Sequence, residues 1–230
     1  MGFDGFPKQT ATYLKSLKKN NSKDWFEANR ADYQAYVVEP ALAFIEAMLP
    51  VAESLDPPHK GAAKLNGSFR RLNRDVRFSK DKTPYNPRIH MIFWTGDHPN
   101  RSAGIHLVLG PAGFGYGSGH WAFEGDALER YRSAVLDAGK RKSLEAALKS
   151  VGAIGCDVDE PPLKTIPRGY DKEAPGANWL RYKGIVARTM SEEAGHDPRL
   201  FTGDCTGYCA GLMQAMAPLN KWVREKVELE

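Results

Sequence analysis

From Gly113 to Trp121 the chain reads Gly-Phe-Gly-Tyr-Gly-Ser-Gly-His-Trp, with glycine at every second position up to the tryptophan. Side chains at i and i+2 of a strand share a face. An extended segment here therefore carries Phe114, Tyr116, Ser118 and His120 on one side and almost nothing on the other. A bare strand face admits a close backbone, an aromatic ring or a ligand. The packing alternatives are a helix or tryptophan seated in that groove, or a sharply bent strand. Alternating glycine is a strand pattern, not a phosphate-binding turn.

The neighbouring sequence supports a sheet. Ile89, Met91 and Phe93 alternate with Arg88, His90, Ile92 and Trp94, and Ala103 to Leu109 reads as a second strand. Asp97-His98-Pro99-Asn100 and Gly110-Pro111 are turns. Such short connections fit antiparallel hairpins, because a parallel pair needs a crossover of roughly a dozen residues. On either side the period changes to that of a helix. Stripes run through Tyr13, Leu14 and Leu17, then from Ser22 through Trp25, Phe26 and Tyr33. Pro40 is expected to force a restart before Phe44, Ile45 and Met48. Leu128, Tyr131 and Val135 follow a capping-box pattern at Asp126 and Glu129. Leu212 to Val227 is helical with an expected break at Pro218. The expected fold is α+β, a central antiparallel sheet covered by helices from the N- and C-terminal parts of the chain. With no repeat and no linker, residues 1–230 read as one globular domain.

A chain of 230 residues that is 42% hydrophobic can build its core without a metal or disulfide. Its three cysteines, Cys156, Cys205 and Cys209, are too few and too irregular for a disulfide framework, which points to a reducing compartment. The start lacks a signal-peptide pattern, and no apolar run approaches the roughly 18 residues of a membrane span. The expectation is a cytoplasmic protein with no membrane partner. Its oligomeric state is left open.

The charge is concentrated. Arg70, Arg71, Arg74, Arg77, Lys80 and Lys82 face only Asp75 and Asp81, an excess of four that equals the formal net charge of the whole chain, +4. Arginine is suited to bidentate binding of phosphate or carboxylate. Two readings of the stretch stay open. In one, Arg71, Arg74, Arg77, Lys82 and Tyr85 form an anion site, supported by Asp75, Asp81, Gly117, Gly119 and His120. In the other, the aspartates pin the arginines in an internal network that only holds the loop.

The string Arg71-x-x-Arg74-Asp75-x-Arg77-Phe78-x-x-Asp81-Lys82-x-Pro84-Tyr85 resembles the signature of the family catalogued as domain of unknown function 2461. Asn21-x-x-x-Trp25-Phe26-x-x-Asn29-Arg30, Gly117-Ser118-Gly119-His120-Trp121 and Ala217-Pro218-Leu219-Asn220-Lys221-Trp222 fit the same family. The resemblance runs nearly end to end and implies no particular activity.

Chemistry has to be read from the residues. There is no Walker loop, dinucleotide fingerprint, nucleophile elbow or HExxH spacing. His90, His106 and His120 fall on consecutive expected strands and could share a face, but ordinary structural histidines account for them, and no closed ligand set argues for a metal. No cofactor is implied. A charge of +4 without a broad basic face makes nucleic acid an improbable partner. The functional expectation is a protein that binds a small anionic or phosphate-bearing ligand at the arginine-rich loop. The alternatives are an enzyme acting on such a ligand, or an interaction protein with a purely structural Arg-Asp network.

Overall fold

A computed structural model describes residues 2–189 and 195–228. In chain order it forms α1 (Lys8–Lys19), α2 (Lys23–Ala28), α3 (Arg30–Tyr33), a π-helical turn (Gln34–Val38), α4 (Glu39–Glu53), β1 (Phe69–Arg70), β2 (Ile89–Trp94), β3 (Gly104–Leu109), β4 (Phe114–His120), α5 (Gly125–Leu136), α6 (Ala138–Gly152), β5 (Asp157–Val158), β6 (Ile185–Arg188) and α7 (Cys205–Val223). The six strands make one antiparallel sheet in the order β1-β2-β3-β4-β6-β5. The fold is α+β, with helices from both ends of the chain packed on the sheet.

One face of the sheet is the core. Phe69, Met91, Phe93, Ile105, Leu107, Phe114, Ile185 and Ala187 are buried there against Phe44, Ile45, Met48, Met213 and Met216 of α4 and α7. Burying one such side chain contributes roughly 1.5–3 kcal/mol, which makes this face the main source of stability. Ser22 caps α2, its hydroxyl accepting from Trp25 N at 3.3 Å.

Two expected helix breaks do not occur. Pro40 sits at the start of α4, where a missing N–H costs little, and the π-helical turn before it absorbs the mismatch, so helix runs from Arg30 to Glu53. That stretch is long and apolar enough to cross a membrane by length and composition, yet Val37, Ala41, Phe44, Ile45 and Met48 on it are fully buried in the core. α7 likewise continues through Pro218. The Ser150 and Ser118 hydroxyls donate to the Ala215 and Met216 carbonyls in the turn before that proline, supplying side-chain bonds where the helix ladder is weakest. The capping box is also absent: Glu124 occupies the cap position of α5, with no side-chain bond.

A buried polar relay ties α7 to the sheet. Gly119 N donates to Asn220 Oδ1 at 2.9 Å, and Asn220 Nδ2 then faces His59 Nε2 at 2.8 Å. The amide must donate, so His59 keeps its proton on Nδ1, 2.8 Å from the Pro57 carbonyl that accepts it. Burial holds the His59 pKa down to about 4. A second proton would face the amide N–H of Asn220, donor against donor.

Candidate functional site

The arginine stretch forms the long loop between β1 and β2, and much of its charge is spent inside it. Arg77 makes a forked pair with Asp75, Nε to Oδ1 at 2.9 Å and Nη2 to Oδ2 at 2.6 Å. Arg74 Nη1 donates to Asp81 Oδ2 at 2.6 Å, to the Thr83 carbonyl at 3.0 Å and to the Thr83 hydroxyl. The Thr83 N–H and hydroxyl, together with Arg74, hold the Asp81 carboxyl down to about 2. Lys82 Nζ donates to the Val76 carbonyl at 2.9 Å. Tyr85 is buried, its ring stacked on Phe26 at 4.3 Å, while Asn21 brackets its backbone N–H and C=O. Arg71 is exposed, and Phe78 stands 95% exposed among these groups.

Of the expected site residues, Gly117, Gly119 and His120 lie on β4, but not on one face. Gly117 pairs with His106 and Arg188, and Gly119 with Gly104 and Val186, on the face turned away from the helices. His120 lies on the helix side, where Nδ1 meets Glu228 Oε1 at 2.8 Å, and that same oxygen accepts from Ala103 N at 2.7 Å. The glycines also explain the strand packing. A Cβ on Gly117 would stand 2.5 Å from Arg188 Cβ, and one on Gly119 would collide with the Ile185 carbonyl. Gly119 also has φ +124°, a region that favours glycine. The bare face thus lets the β6 backbone press onto β4.

The register builds a groove on that outer face, with a volume of about 330 Å³. Arg70, His90, Val108 and Gly115 form one cross-strand row, and Ile92, His106, Gly117 and Arg188 the next. Arg88 precedes His90 by two residues and Trp121 follows Gly119 by two, so each extends the outer face at its own end. Both line the groove, with His90, His106, Val108, Val186 and Arg188. Among the described residues, no aspartate or glutamate lines it.

His90 and His106 are diagonal neighbours in this lattice, and His90 Nε2 lies 2.8 Å from His106 Nδ1. Burial, then His106, Arg88 and Arg70, push the His90 pKa down to about 3; burial, then Arg70 and Arg188, push His106 down to about 4. The pair is therefore neutral near pH 7. With one proton in the shared bond, the pair exposes one N–H donor at one end and one bare nitrogen at the other.

Three arginines surround these rings. Arg70 Nη2 donates to Asn100 Oδ1 at 2.5 Å. Arg188 Nε donates to Asp159 Oδ1 at 2.8 Å, and its guanidinium lies 5.5 Å from the Trp121 ring centroid. The side chain of Arg88 is exposed, with no hydrogen bond or ion pair among the described residues. Among the described residues, no group of three or more His, Cys, Asp or Glu side chains is placed to hold a metal ion.

Arg88, Arg188 and Trp121 were not legible as site residues. Their common signal is an outer-face parity with His90 and the glycines, and it becomes usable only once the strand register is known.

No solved structure matches the chain. Residues 9–222 match the family described as "Conserved hypothetical protein (DUF2461)", and the chain belongs to that family.

Proposed function

We propose that the protein binds a small anionic ligand, and that the ligand sits in the outer-face groove and not on the arginine loop. One observation carries this reading. Arg88 edges the groove with no ion pair among the described residues, and Arg188, held at Nε by Asp159, has terminal nitrogens bonded to none of the described residues, while no carboxylate lines the groove itself. In the loop, by contrast, Arg74 and Arg77 already donate to Asp81 and Asp75. An anion entering the groove gains charge-assisted hydrogen bonds from guanidinium groups. Neutral imidazoles beside them add a donor without the repulsion that two more cations would bring.

Titration calorimetry with inorganic phosphate, benzoate and cyclohexanecarboxylate tests the reading. At least one of these anions should bind the wild type and lose that binding in Arg88→Gln and Arg188→Gln, while Arg74→Lys binds as the wild type does. Absence of binding by all three, or Arg188→Gln binding as tightly as wild type, would sink it.

A further inference from the structure

The groove is a trough as well as a charged rim. Its floor is β4, whose Gly115, Gly117 and Gly119 line the groove without side chains of their own, although β6 leans over the last two, with Arg188 Cβ 2.5 Å from where a Gly117 Cβ would stand. β3 supplies one wall through Val108 and His106, and β6 the other through Arg188 and Val186. β3 and β6 are the two neighbours of β4, so the wall backbones stand about 9.5 Å apart at ordinary strand spacing. The groove has room for a single ring between these walls. Trp121 closes one end, 69% exposed, a large aromatic surface left in water with Arg188 against it.

A simple inorganic anion uses none of these features. Hydration would serve it better than two valines, a bare backbone and an indole. Exposed aromatic surface beside an arginine suits a flat π-system, which can stack on both. The His90–His106 pair adds one donor and one acceptor on the β3 side of the groove.

We infer that the ligand class of this groove is a planar aromatic ring carrying one anionic group, with the ring against Trp121 and the anion on Arg188. The inference rests on the anion-binding reading above and narrows it. The anionic group is a carboxylate or a phosphate ester, since either fits a guanidinium fork.

Four probes in two pairs separate the outcomes, benzoate with cyclohexanecarboxylate and phenyl phosphate with inorganic phosphate, each titrated calorimetrically into the full chain. The aromatic anions should bind about tenfold more tightly than cyclohexanecarboxylate and than inorganic phosphate. The better of the two names the anionic group. Trp121→Ala should abolish the preference for benzoate over cyclohexanecarboxylate while leaving weak anion binding in place. Equal affinity for benzoate and cyclohexanecarboxylate overturns the inference but spares the anion reading, as does a preference that survives in Trp121→Ala. Failure of every probe overturns both. Equal wild-type affinities overturn the inference without any variant, so a poorly folded variant leaves that arm of the test intact.

Discussion

The arginine loop and the outer-face groove hold comparable cations and use them in opposite ways. In the loop, Asp75 stands two residues from Arg77 and Asp81 seven from Arg74, so local sequence delivers an acid to both of these forks, while Arg71 has no ion pair among the described residues. The result is a wired loop with Lys82 capping its carbonyls and Tyr85 anchored on Phe26. In the groove, Arg88 and Arg188 come from segments distant in sequence and meet imidazoles, valines and bare backbone, with Asp159 reaching only Nε of Arg188 from outside the lining. A dense run of charge in sequence is therefore a poor guide to available charge. What matters is what the fold places opposite each guanidinium.

The largest expected effect comes from acid, because the two regions titrate in different windows. His59 and His106 are held near about 4 and His90 near about 3, all below the ordinary histidine value of 6.5. The unfolded chain therefore takes up these protons first. Stability is full above pH 6.5 and is lost as pH falls towards 4, at about 1.4 kcal/mol per pH unit for each histidine. His59 alone should cost on the order of 3 kcal/mol by pH 4. The loop carboxylates join later, since Asp81 stays ionised down to about 2. Urea denaturation at several pH values should show the decline already between 6.5 and 4.5, with His59→Gln removing one proton's worth of slope. A flat profile across that window would contradict the buried, neutral state of these rings.

Next in size is the floor of the groove. Gly119→Val puts a side chain into the Ile185 carbonyl and forces a branched residue to φ +124°. We expect a loss above about 3 kcal/mol in denaturant unfolding, with β6 detached. Gly169→Ala is the control, also at positive φ (+89°) but with nothing within 4 Å of a new Cβ. It should cost only about 1 kcal/mol. Equal losses at both sites would mean that backbone strain, not the pressure of β6 on β4, decides the first.

A third comparison concerns affinity. Arg188→Gln should weaken a bound aromatic carboxylate about ten- to a hundredfold, the effect of one lost charge-assisted contact. Arg74→Lys should leave that affinity unchanged. The reverse pattern would return the site to the loop.

The smallest effect should come from the loop's own pairs. Arg77 and Asp75 are largely solvated, so Arg77→Lys should lower the melting temperature by no more than a few degrees. Arg74 is more enclosed and also holds Thr83, so Arg74→Lys should cost more than Arg77→Lys. A larger drop for Arg77→Lys would show that the exposed pair carries structure that its solvation argues against.

The α+β class, the three central strands and their short turns were readable because period-two patterning and glycine placement are local properties of the chain. Ser22 as a cap was readable for the same reason. The helix breaks expected at Pro40 and Pro218 did not occur: a π-turn precedes the first, and around the second α7 is buried in the core and tied by two serine hydroxyls from elsewhere in the fold. The sequence located a dense run of arginines and allowed both an open site and an internal network. Which forks were taken depended on geometry within the loop. The groove was legible only in part: Gly117, Gly119 and a shared face for His90 and His106 could be read, but not Arg88, Arg188 and Trp121 beside them. Strand register decides that His90 and His106 touch while His120 faces the helices, since a slip of one residue turns every side chain to the other face. Patterning alone determines which residues can share a face. Tertiary structure decides which faces meet, and with them which arginine nitrogens are left to face a groove.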